Sequence, residues 1–599
     1  SPPATRRNLS VRARVGRGDL NMGDSVDDLR MRVAKLEAEN ERLRERLQRE
    51  RTGSMQNLAH LLGDGSPMPV GSPIAKPQGV PNIPIPDDPK STWKALTIIV
   101  LGATGDLAKK KTFPALMALV RAGLLPTHAS IVGYGRTKWS QEDFQSMLEK
   151  NLKNCNEKAA FKRRCVYQWG QYDSAEDMNV LKCVCQKIEG ETIPESEEMR
   201  LHGTCSNRLF YFALPPFTYP GAAKAINKSA MSKTGWSRLV IEKPFGRDSE
   251  SYLSLSHALS AEFSESQMYR IDHYLGKEIA QSIMTLRFAN LVFEPLWNRN
   301  HVNCVHITFK EDIGTQGRGG YFDEYGMIRD VMQNHLLQLL ALIAMETPIS
   351  LGADDVRNRK VEVLRCINPI DMKDVVVGQY VAAQGQVGYL DDPTVPEGSI
   401  APTYAVAALY INNARWSGVP FILSCGKALN EKLVDIRVQF KPTSGNLFDG
   451  KKVQSNELVM RVQPDEAIFL RCMTKAPGLS ADVAAVEMDL TYKKHFHASQ
   501  DLPDAYERLI LDALNGDSSL FVRDDELAAA WRIFTPILAQ LDEDKIKPLP
   551  YDFGSAGPDA AHALLKRLGF KESLKSEADV TEAKKKIEQM ESFSLGDRA

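Results

Sequence analysis

At roughly 100–200 residues per domain, a chain of 599 residues implies about two to four domains and large cores, which excludes a small stapled scaffold. Lysine plus arginine (75) nearly balances aspartate plus glutamate (76), so the net charge is -1 and no surplus of cations exists to bind a phosphodiester backbone or an anionic membrane surface. With 43% hydrophobic and 25% charged residues, a mean hydropathy of -0.30 and no apolar run of transmembrane length, the composition is that of a soluble globular body with neither nucleic-acid nor membrane partners.

Residues 1–24 are polar and rich in arginine and glycine, without the apolar stretch of a secretory signal, and read as a disordered tail. A cytoplasmic location is expected, with an organelle-directing leader in the arginine-rich start as the alternative. From Ser25 the pattern changes. Val26, Leu29, Val33, Leu36, Asn40, Leu43 and Leu47 alternate spacings of three and four residues, the seam of a short coiled-coil helix over 25–51. Valines at a, leucines at d, Asn40 in the seam and the opposite-charge pairs Arg32 with Glu37 and Glu39 with Arg44 predict parallel pairing of two helices through residues 26–47; a solvated single helix is the alternative. Residues 52–90 are a linker whose prolines and glycines, dense from Gly63 to Pro89, cannot build regular elements. The globular body starts at Ser91.

Ala95–Leu101 (ALTIIVL) is a continuous apolar run of strand length, the pattern of a strand buried on both faces of a parallel sheet. Gly102, Ala103, Thr104, Gly105, Asp106, Leu107 and Ala108 follow at once. Glycines at such a turn let backbone approach a pyrophosphate, and the N-terminus of the next helix, running through Leu119, supplies positive potential. The spacing is G-x-x-G-x-x-A rather than G-x-G-x-x-G, so an ordinary turn remains open on this motif alone. A second strand, Ser130–Tyr134, ends in Gly135, Arg136, Thr137 and Lys138 where an NAD site would place a carboxylate. A guanidinium pairs with a 2′-phosphate, so NADP is favoured over NAD. Strands at Arg208–Ala213 and Arg238–Glu242 continue the alternation of a doubly wound α/β domain.

In Arg270–Glu278 a helical conformation would bring His273 and Lys277 to one face with Tyr274 adjacent, either a phosphate-binding face or a solvated surface. Glu311 ends a strand (His306–Lys310), and a helix from Met327 carries Asp330 and His335. A histidine beside a carboxylate has the makings of a general base, although a lone histidine next to an apolar run is more often structural. The nine cysteines form no disulfide framework and no zinc pattern; Cys183 and Cys185 make a CxC pair open to redox chemistry or to simple burial.

GATGDLAKKK (102–111), IEKPFGRD (241–248), RIDHYLGKE (270–278), GRGGYFDEYGMIRDVMQNHLLQ (317–338) and CGKALNEK (425–432) together resemble the glucose-6-phosphate dehydrogenase family across roughly residues 96–570. The resemblance implies an NADP-dependent oxidation of glucose 6-phosphate to 6-phosphogluconolactone, the entry step of the pentose phosphate pathway. It implies an α/β Rossmann domain (91–269) followed by a larger α+β domain with an antiparallel sheet (270–571), which forms the interface of homodimers or homotetramers; the remaining residues 572–599 read from their own composition as a charged helical tail. His335 resembles the base that takes the C1 hydroxyl proton, and Asp272 its carboxylate partner. His273, Tyr274, Lys277 and Lys427 match phosphate-binding positions, Lys432 matches a substrate-binding position, and Lys243, Glu311, Asp330 and Gln463 match positions that hold sugar hydroxyls. Gly102, Thr104, Gly105, Asp106, Leu107, Arg136, Tyr219 and Lys243 match the catalytic cofactor site. No metal is implied.

Animal members of that family carry a second, structural NADP, and here the chain departs from them. Arg437, Arg461 and Asp489 match, but Ser424, Leu433, Phe469, Ala556 and Glu572 replace an arginine, a lysine, a tyrosine, an arginine and a tyrosine. Fewer cationic partners and an added carboxylate predict that this second NADP is absent or weakly held.

Overall fold

The computed structural model describes residues 95–126, 128–191, 206–444, 447–448, 453–479, 481–491 and 503–572. The expected disordered tail (1–24), coiled-coil helix (25–51), linker (52–90) and charged helix beyond residue 572 lie outside the described residues. No helix among the described residues is long and apolar enough to cross a membrane.

The described strands form two sheets. The first holds β1 (Ala95–Leu101), β2 (Ser130–Gly135), β3 (Cys165–Trp169), β4 (Ser206–Phe212), β5 (Ser237–Ile241) and β6 (Met268–Ile271), with β15 (Phe521–Val522) at its edge, in the order β15-β6-β5-β4-β1-β2-β3. All seven residues of β1 are buried, as its apolar run requires between two parallel neighbours. β1 through β6 are mutually parallel, and the chain order reverses direction between β1 and β4. That switch point is where doubly wound sheets open a crevice beyond their strand ends. The strands expected from the sequence at 95–101, 130–134, 208–213 and 238–242 are present with their ends moved by no more than two residues.

β15 had no sequence signal. It returns from far down the chain to pair antiparallel with β6, where Phe521 packs edge-on against Tyr269 with ring centroids 4.9 Å apart. Buried Arg238 donates to the carbonyls of Ala513 and Leu514 at 2.9 and 2.6 Å, fixing the helix Ala505–Asn515 to the same sheet.

The second sheet contains β7 (Val302–Lys310), β8 (Val375–Val381), β9 (Tyr404–Tyr410), β10 (Pro420–Gly426), β11 (Leu433–Phe440), β12 (Glu457–Gln463), β13 (Ala467–Lys475), β14 (Val483–Thr491) and β16 (Leu549–Asp552). Its order is β14-β13-β12-β11-β7-β10-β9-β8-β16. The sheet is mainly antiparallel, as expected, but β7–β10 and β8–β16 run parallel. The first exception has a simple cause: β10 and β11 are joined by the short loop 427–432 and lie on either side of β7. Two strands of opposite direction flanking a common neighbour must pair with it once parallel and once antiparallel. As a result the loop 427–432 passes over the end of β7.

Two helices begin with i→i+5 hydrogen bonding. Ala108–Thr112 opens the helix that continues to Arg121, and Ile328–Leu336 precedes the wholly buried helix Leu337–Ala344. Such wide turns are uncommon and concentrate at functional sites. Cys183 is exposed and Cys185 buried on the helix Ala175–Glu191, and residues two apart on a helix face different ways, so the CxC pair is not poised to bond. Burial pushes the Cys185 thiol up to about 12, which leaves it protonated.

Candidate active site

The dinucleotide turn is built by close approach. Gly102 follows β1 with φ +84°, and its N–H donates to the carbonyl of Tyr134 at 2.9 Å. A Cβ there would lie 2.1 Å from the carbonyl oxygen of Ala213, just past β4, so only glycine fits between the two strand ends. Gly105 closes the turn by donating to the Gly102 carbonyl at 2.8 Å, and exposed Asp106 is paired with Lys110 at 2.7 Å. Leu107 leads into the Ala108–Thr112 turns. Arg136 is exposed beyond β2, lying over the Tyr172 ring at 5.6 Å, and the Thr104 and Thr137 hydroxyls are 3.4 Å apart. Thr104, Arg136 and Thr137 thus converge at the ends of β1 and β2. Tyr219 sits differently: it is fully buried and its hydroxyl donates to the carbonyls of Glu242 and Leu214, so it packs behind the groove.

Lys243 follows β5 and Asp272 follows β6, neighbouring parallel strands that deliver both side chains to one end of the sheet. The expected helix over 270–278 does not form. Arg270 and Ile271 belong to β6, successive i→i+3 turns occupy 272–277, and the helix begins at Glu278. Gly276 is pressed against the Ala505 carbonyl, where a Cβ would approach to 2.7 Å, so docking of the later helix holds these turns in place of an α-helix. His273, Tyr274 and Lys277 therefore reach the site from a tight turn.

His335 Nδ1 lies 2.6 Å from Asp272 Oδ1, and both residues are 3% exposed. Asp272 also accepts from the Tyr274 N–H at 3.0 Å. The Tyr274 ring stacks on the His335 ring at 4.5 Å, and His273 meets it edge-on at 4.6 Å. Burial acts to raise the Asp272 carboxyl, but His335 and His273 outweigh it and hold the group down to about 2. Burial pulls His335 below its ordinary value, with Asp272 opposing in part. The pair therefore rests as carboxylate and neutral imidazole, with Nδ1 committed to Asp272 and Nε2 left to take a proton.

Around it, Lys243 Nζ donates to the Asp330 carboxylate at 2.9 Å and to its carbonyl at 2.7 Å, and this cation holds the Asp330 carboxyl down to about 2 against burial. On an α-helix Asp330 and His335 would point roughly 140° apart; the i→i+5 turns bring residues five apart to the same side, and the two interact electrostatically. Glu311, at the end of β7, is hydrogen-bonded by Lys427 from the crossing loop, whose Leu429 N–H donates to the Glu311 carbonyl at 2.8 Å. Lys277 is pulled down by burial, relieved by Asp504 and Glu466, and lowered further by Lys111 and Lys432. Lys111, Lys277 and Lys432 thus share one electrostatic field, in which Asp504 and Glu466 also take part. Gln463 lies at the end of β12, paired with Val434 across the strand, and is not among the groups bonded around the histidine.

Two participants were missed by sequence reasoning. Lys111 bonds Asp504 at 2.9 Å and lies over the Tyr506 ring at 5.8 Å, and Tyr506 lies parallel to His273 with centroids 5.9 Å apart. The lysine run 109–111 just after the glycine turn could have pointed to Lys111. Nothing local marks Tyr506, which comes from a helix more than two hundred residues away in sequence.

A separate cavity of about 750 Å³ opens beside β10–β13, lined among others by His306, Ser424, Leu433, Arg437, Arg461, Ala556 and Glu572. Its arginines are engaged: Arg437 with Asp435 at 2.9 Å, Arg471 with Glu457 at 3.1 Å and Glu487 at 2.7 Å, and Arg461 over the Phe469 ring at 5.5 Å.

The family model described as glucose-6-phosphate dehydrogenase, NAD binding domain, matches residues 99–282, and that described as its C-terminal domain matches 284–572. Glucose-6-phosphate 1-dehydrogenase of Dictyostelium discoideum is 52% identical over 483 residues, 80% of this chain and 95% of that protein. The chloroplastic enzyme of Spinacia oleracea is 49% identical over 488 residues, 78% of this chain and 82% of that protein. A solved glucose-6-phosphate dehydrogenase in complex with its substrate glucose-6-phosphate superposes with a TM-score of 0.75 at 42% identity, covering 80% of this chain and 98% of that one. With both domain models matched in order and about half the residues shared along most of its length, this chain belongs to the glucose-6-phosphate dehydrogenase family.

Proposed function

We propose that the chain oxidises D-glucose 6-phosphate to 6-phospho-D-glucono-1,5-lactone with NADP as acceptor, the first oxidative step of the pentose phosphate pathway. The observation that carries this reading is the buried Asp272–His335 pair at 2.6 Å, with Lys243 bonded to Asp330 beside it. His335 Nε2 takes the proton of the C1 hydroxyl. Asp272 holds the ring in the tautomer that makes this possible and stabilises the imidazolium that forms. Lys277, Lys427 and Lys432, with His273 and Tyr274, hold the phosphate; Lys243, Asp330, Glu311 and Gln463 orient the hydroxyls.

The residues present fit NADP. The Gly102 contact leaves no room for a Cβ where backbone must meet a pyrophosphate, and exposed Arg136 offers a guanidinium to a 2′-phosphate. Gly102, Thr104, Gly105, Asp106, Leu107, Arg136, Lys243 and the wall formed by Tyr219 would hold it. When bound, the cofactor supplies the acceptor for the hydride leaving C1.

Three further readings belong to the proposal. The second NADP is absent or weak, because two of the cavity's arginines, Arg437 and Arg471, already bond carboxylates of this chain. Homodimers or homotetramers form through the second sheet, whose edge strand β14 leaves Val486, Met488 and Leu490 exposed. Residues 26–47 add a parallel helical pairing to an enzyme that is cytoplasmic or directed to an organelle by its arginine-rich start.

The test is the initial rate of NADPH absorbance with glucose 6-phosphate and NADP or NAD, on the wild-type chain and His335→Asn. Preference for NADP, with a variant slowed by about 10²–10⁴-fold that still binds the sugar phosphate, is the expected result. No turnover by the wild type would sink the reading.

A further inference from the structure

Glu242 is a buried carboxyl for which the reaction as described has no use. It follows β5 directly, next to Lys243, and β5 is the parallel neighbour of β6, with Ile241 opposite Arg270. Glu242 and Asp272 therefore leave the same end of the sheet from adjacent strands. Glu242 is 6% exposed. Tyr211, a wholly buried residue of β4, donates its hydroxyl hydrogen to Glu242 Oε1 at 2.5 Å. Tyr219 donates to the Glu242 main-chain carbonyl at 2.9 Å. Side chain and backbone are thus both held, and the buried carboxyl interacts electrostatically with Asp272.

We propose that Glu242 is a positioning residue whose change of charge, transmitted through its place beside Asp272, sets how strongly His335 draws the substrate proton. This rests on His335 being the base. The titratable and charged groups that face Glu242 are Tyr211 from β4, Tyr219 from the helix Tyr219–Ser229, Lys243 next in the chain, Asp272 beyond β6 and Tyr506 from the helix Ala505–Asn515. Burial pushes each of these tyrosines up, so they remain neutral; Lys243 and Asp272 bring one charge of each sign. Burial pushes the Glu242 carboxyl up to about 7, against the Tyr211 bond and Lys243.

The sign follows. Below neutrality Glu242 holds its proton and Asp272 is the anion behind the imidazole. As pH rises through neutrality a second negative charge appears there. It stabilises the imidazolium formed in the transition state and makes His335 a stronger base, so the rate climbs again after His335 itself has become neutral. A carboxyl of ordinary pKa would be ionised across the whole working range and would add no such step.

The experiment measures kcat/KM for glucose 6-phosphate over about pH 5.5–9 on the wild type, Glu242→Gln and Tyr211→Phe. The sugar phosphate has its own ionisation near pH 6, common to all three proteins, which cancels in the ratio of variant to wild type. In that ratio Glu242→Gln, which can still accept from Tyr211, falls several-fold as pH rises through neutrality. Tyr211→Phe, which removes a donor to the carboxylate, moves the step upward by roughly a unit. Ratios flat in pH for both variants overturn the proposal whatever their absolute rates; should Glu242→Gln fail to fold, an unmoved step in Tyr211→Phe overturns it alone. An infrared titration separates this failure from that of the base assignment. A protonated-carboxyl band lost near neutrality in the wild type and missing from Glu242→Gln reads Glu242 without turnover, whereas full activity in His335→Asn would remove the base and leave the band in place.

Discussion

His335 is pulled below the ordinary histidine range by burial while Asp272 pulls it back, and that opposition has a direction that can be measured. With His335 as the proposed base, the neutral imidazole is the active form, so kcat/KM should be lost as pH falls through a value below 6.5. Replacing Asp272 with Asn removes the group that favours the imidazolium. The acid limb then moves to still lower pH, and the rate on the plateau falls by about 10²–10⁴-fold because tautomer and charge support are both lost. A limb that moved upward in Asp272→Asn would contradict the assignment. At the other end of the site, Arg136 lies exposed against Tyr172. Arg136→Gln should raise KM for NADP by roughly tenfold or more, the worth of a charge-assisted hydrogen bond, and leave KM for NAD nearly unchanged. Equal effects on the two cofactors would mean that the guanidinium does not meet the 2′-phosphate.

Gly102 shows how one residue decides an element. With φ +84° and the Ala213 carbonyl where its Cβ would stand, the β1 turn exists only as glycine. Gly102→Ala should cost about 1–3 kcal/mol through backbone strain, before counting the clash, and raise KM for NADP. A lowered thermal midpoint with weakened cofactor affinity is the expected pair of results; a midpoint unchanged from wild type would show that the turn relaxes. The Ile328–Leu336 turns are the second case. Their i→i+5 geometry is what lets Asp330 serve Lys243 while His335 meets Asp272. The helix Leu337–Ala344 that follows, apolar but for Gln338, is buried along its whole length, so the wide turns are anchored at one end by the core.

Across the whole molecule the two sheets are tied by returning segments. β15 completes the first sheet, and the helix Ala505–Asn515 brings Tyr506 and neighbouring Asp504 to the site. The long helix Asp524–Glu543 is locked to Ala353–Arg365 by a buried ion pair, Lys360 to Glu526 at 3.0 Å, in which both side chains are almost wholly sealed from solvent. Lys360 also donates to Gln338 at 2.8 Å. Lys360→Met leaves Glu526 charged and buried, so the variant should lose about 3–5 kcal/mol of stability, read as a lower urea midpoint, with KM for both substrates retained where it folds. A midpoint equal to wild type would show that water reaches the pair. Light scattering on the full chain and on one lacking residues 1–90 tests assembly. A sheet-mediated dimer survives the deletion, and any larger species that depends on residues 26–47 does not.

The strands β1, β2, β4 and β5 and the glycine turn were legible in the sequence because their determinants are local: apolar runs of strand length, glycine where backbone crowds, arginine where a carboxylate would stand. Most of the residues around the histidine were legible as well, through motif resemblance, since each lies in a short run of recognisable neighbours. What those runs cannot contain is distance. The turn at 272–277 has helical spacing yet is held in tight turns by the docked helix at Ala505, and Lys277, Lys111 and Lys432 share one field only because β10, β11 and the helix after β1 converge in space. The charge of a buried carboxyl is decided in the same way. Glu242 and Asp272 are both acids at strand ends, and burial acts to raise both; a tyrosine offsets it only in part for one, while histidines outweigh it for the other, so their pKa values move in opposite directions. Local pattern determined which elements form and which chemistry they carry; packing across the sheets decided which side chains meet and in what state of charge, because desolvation and pairing exist only between groups the fold has brought together.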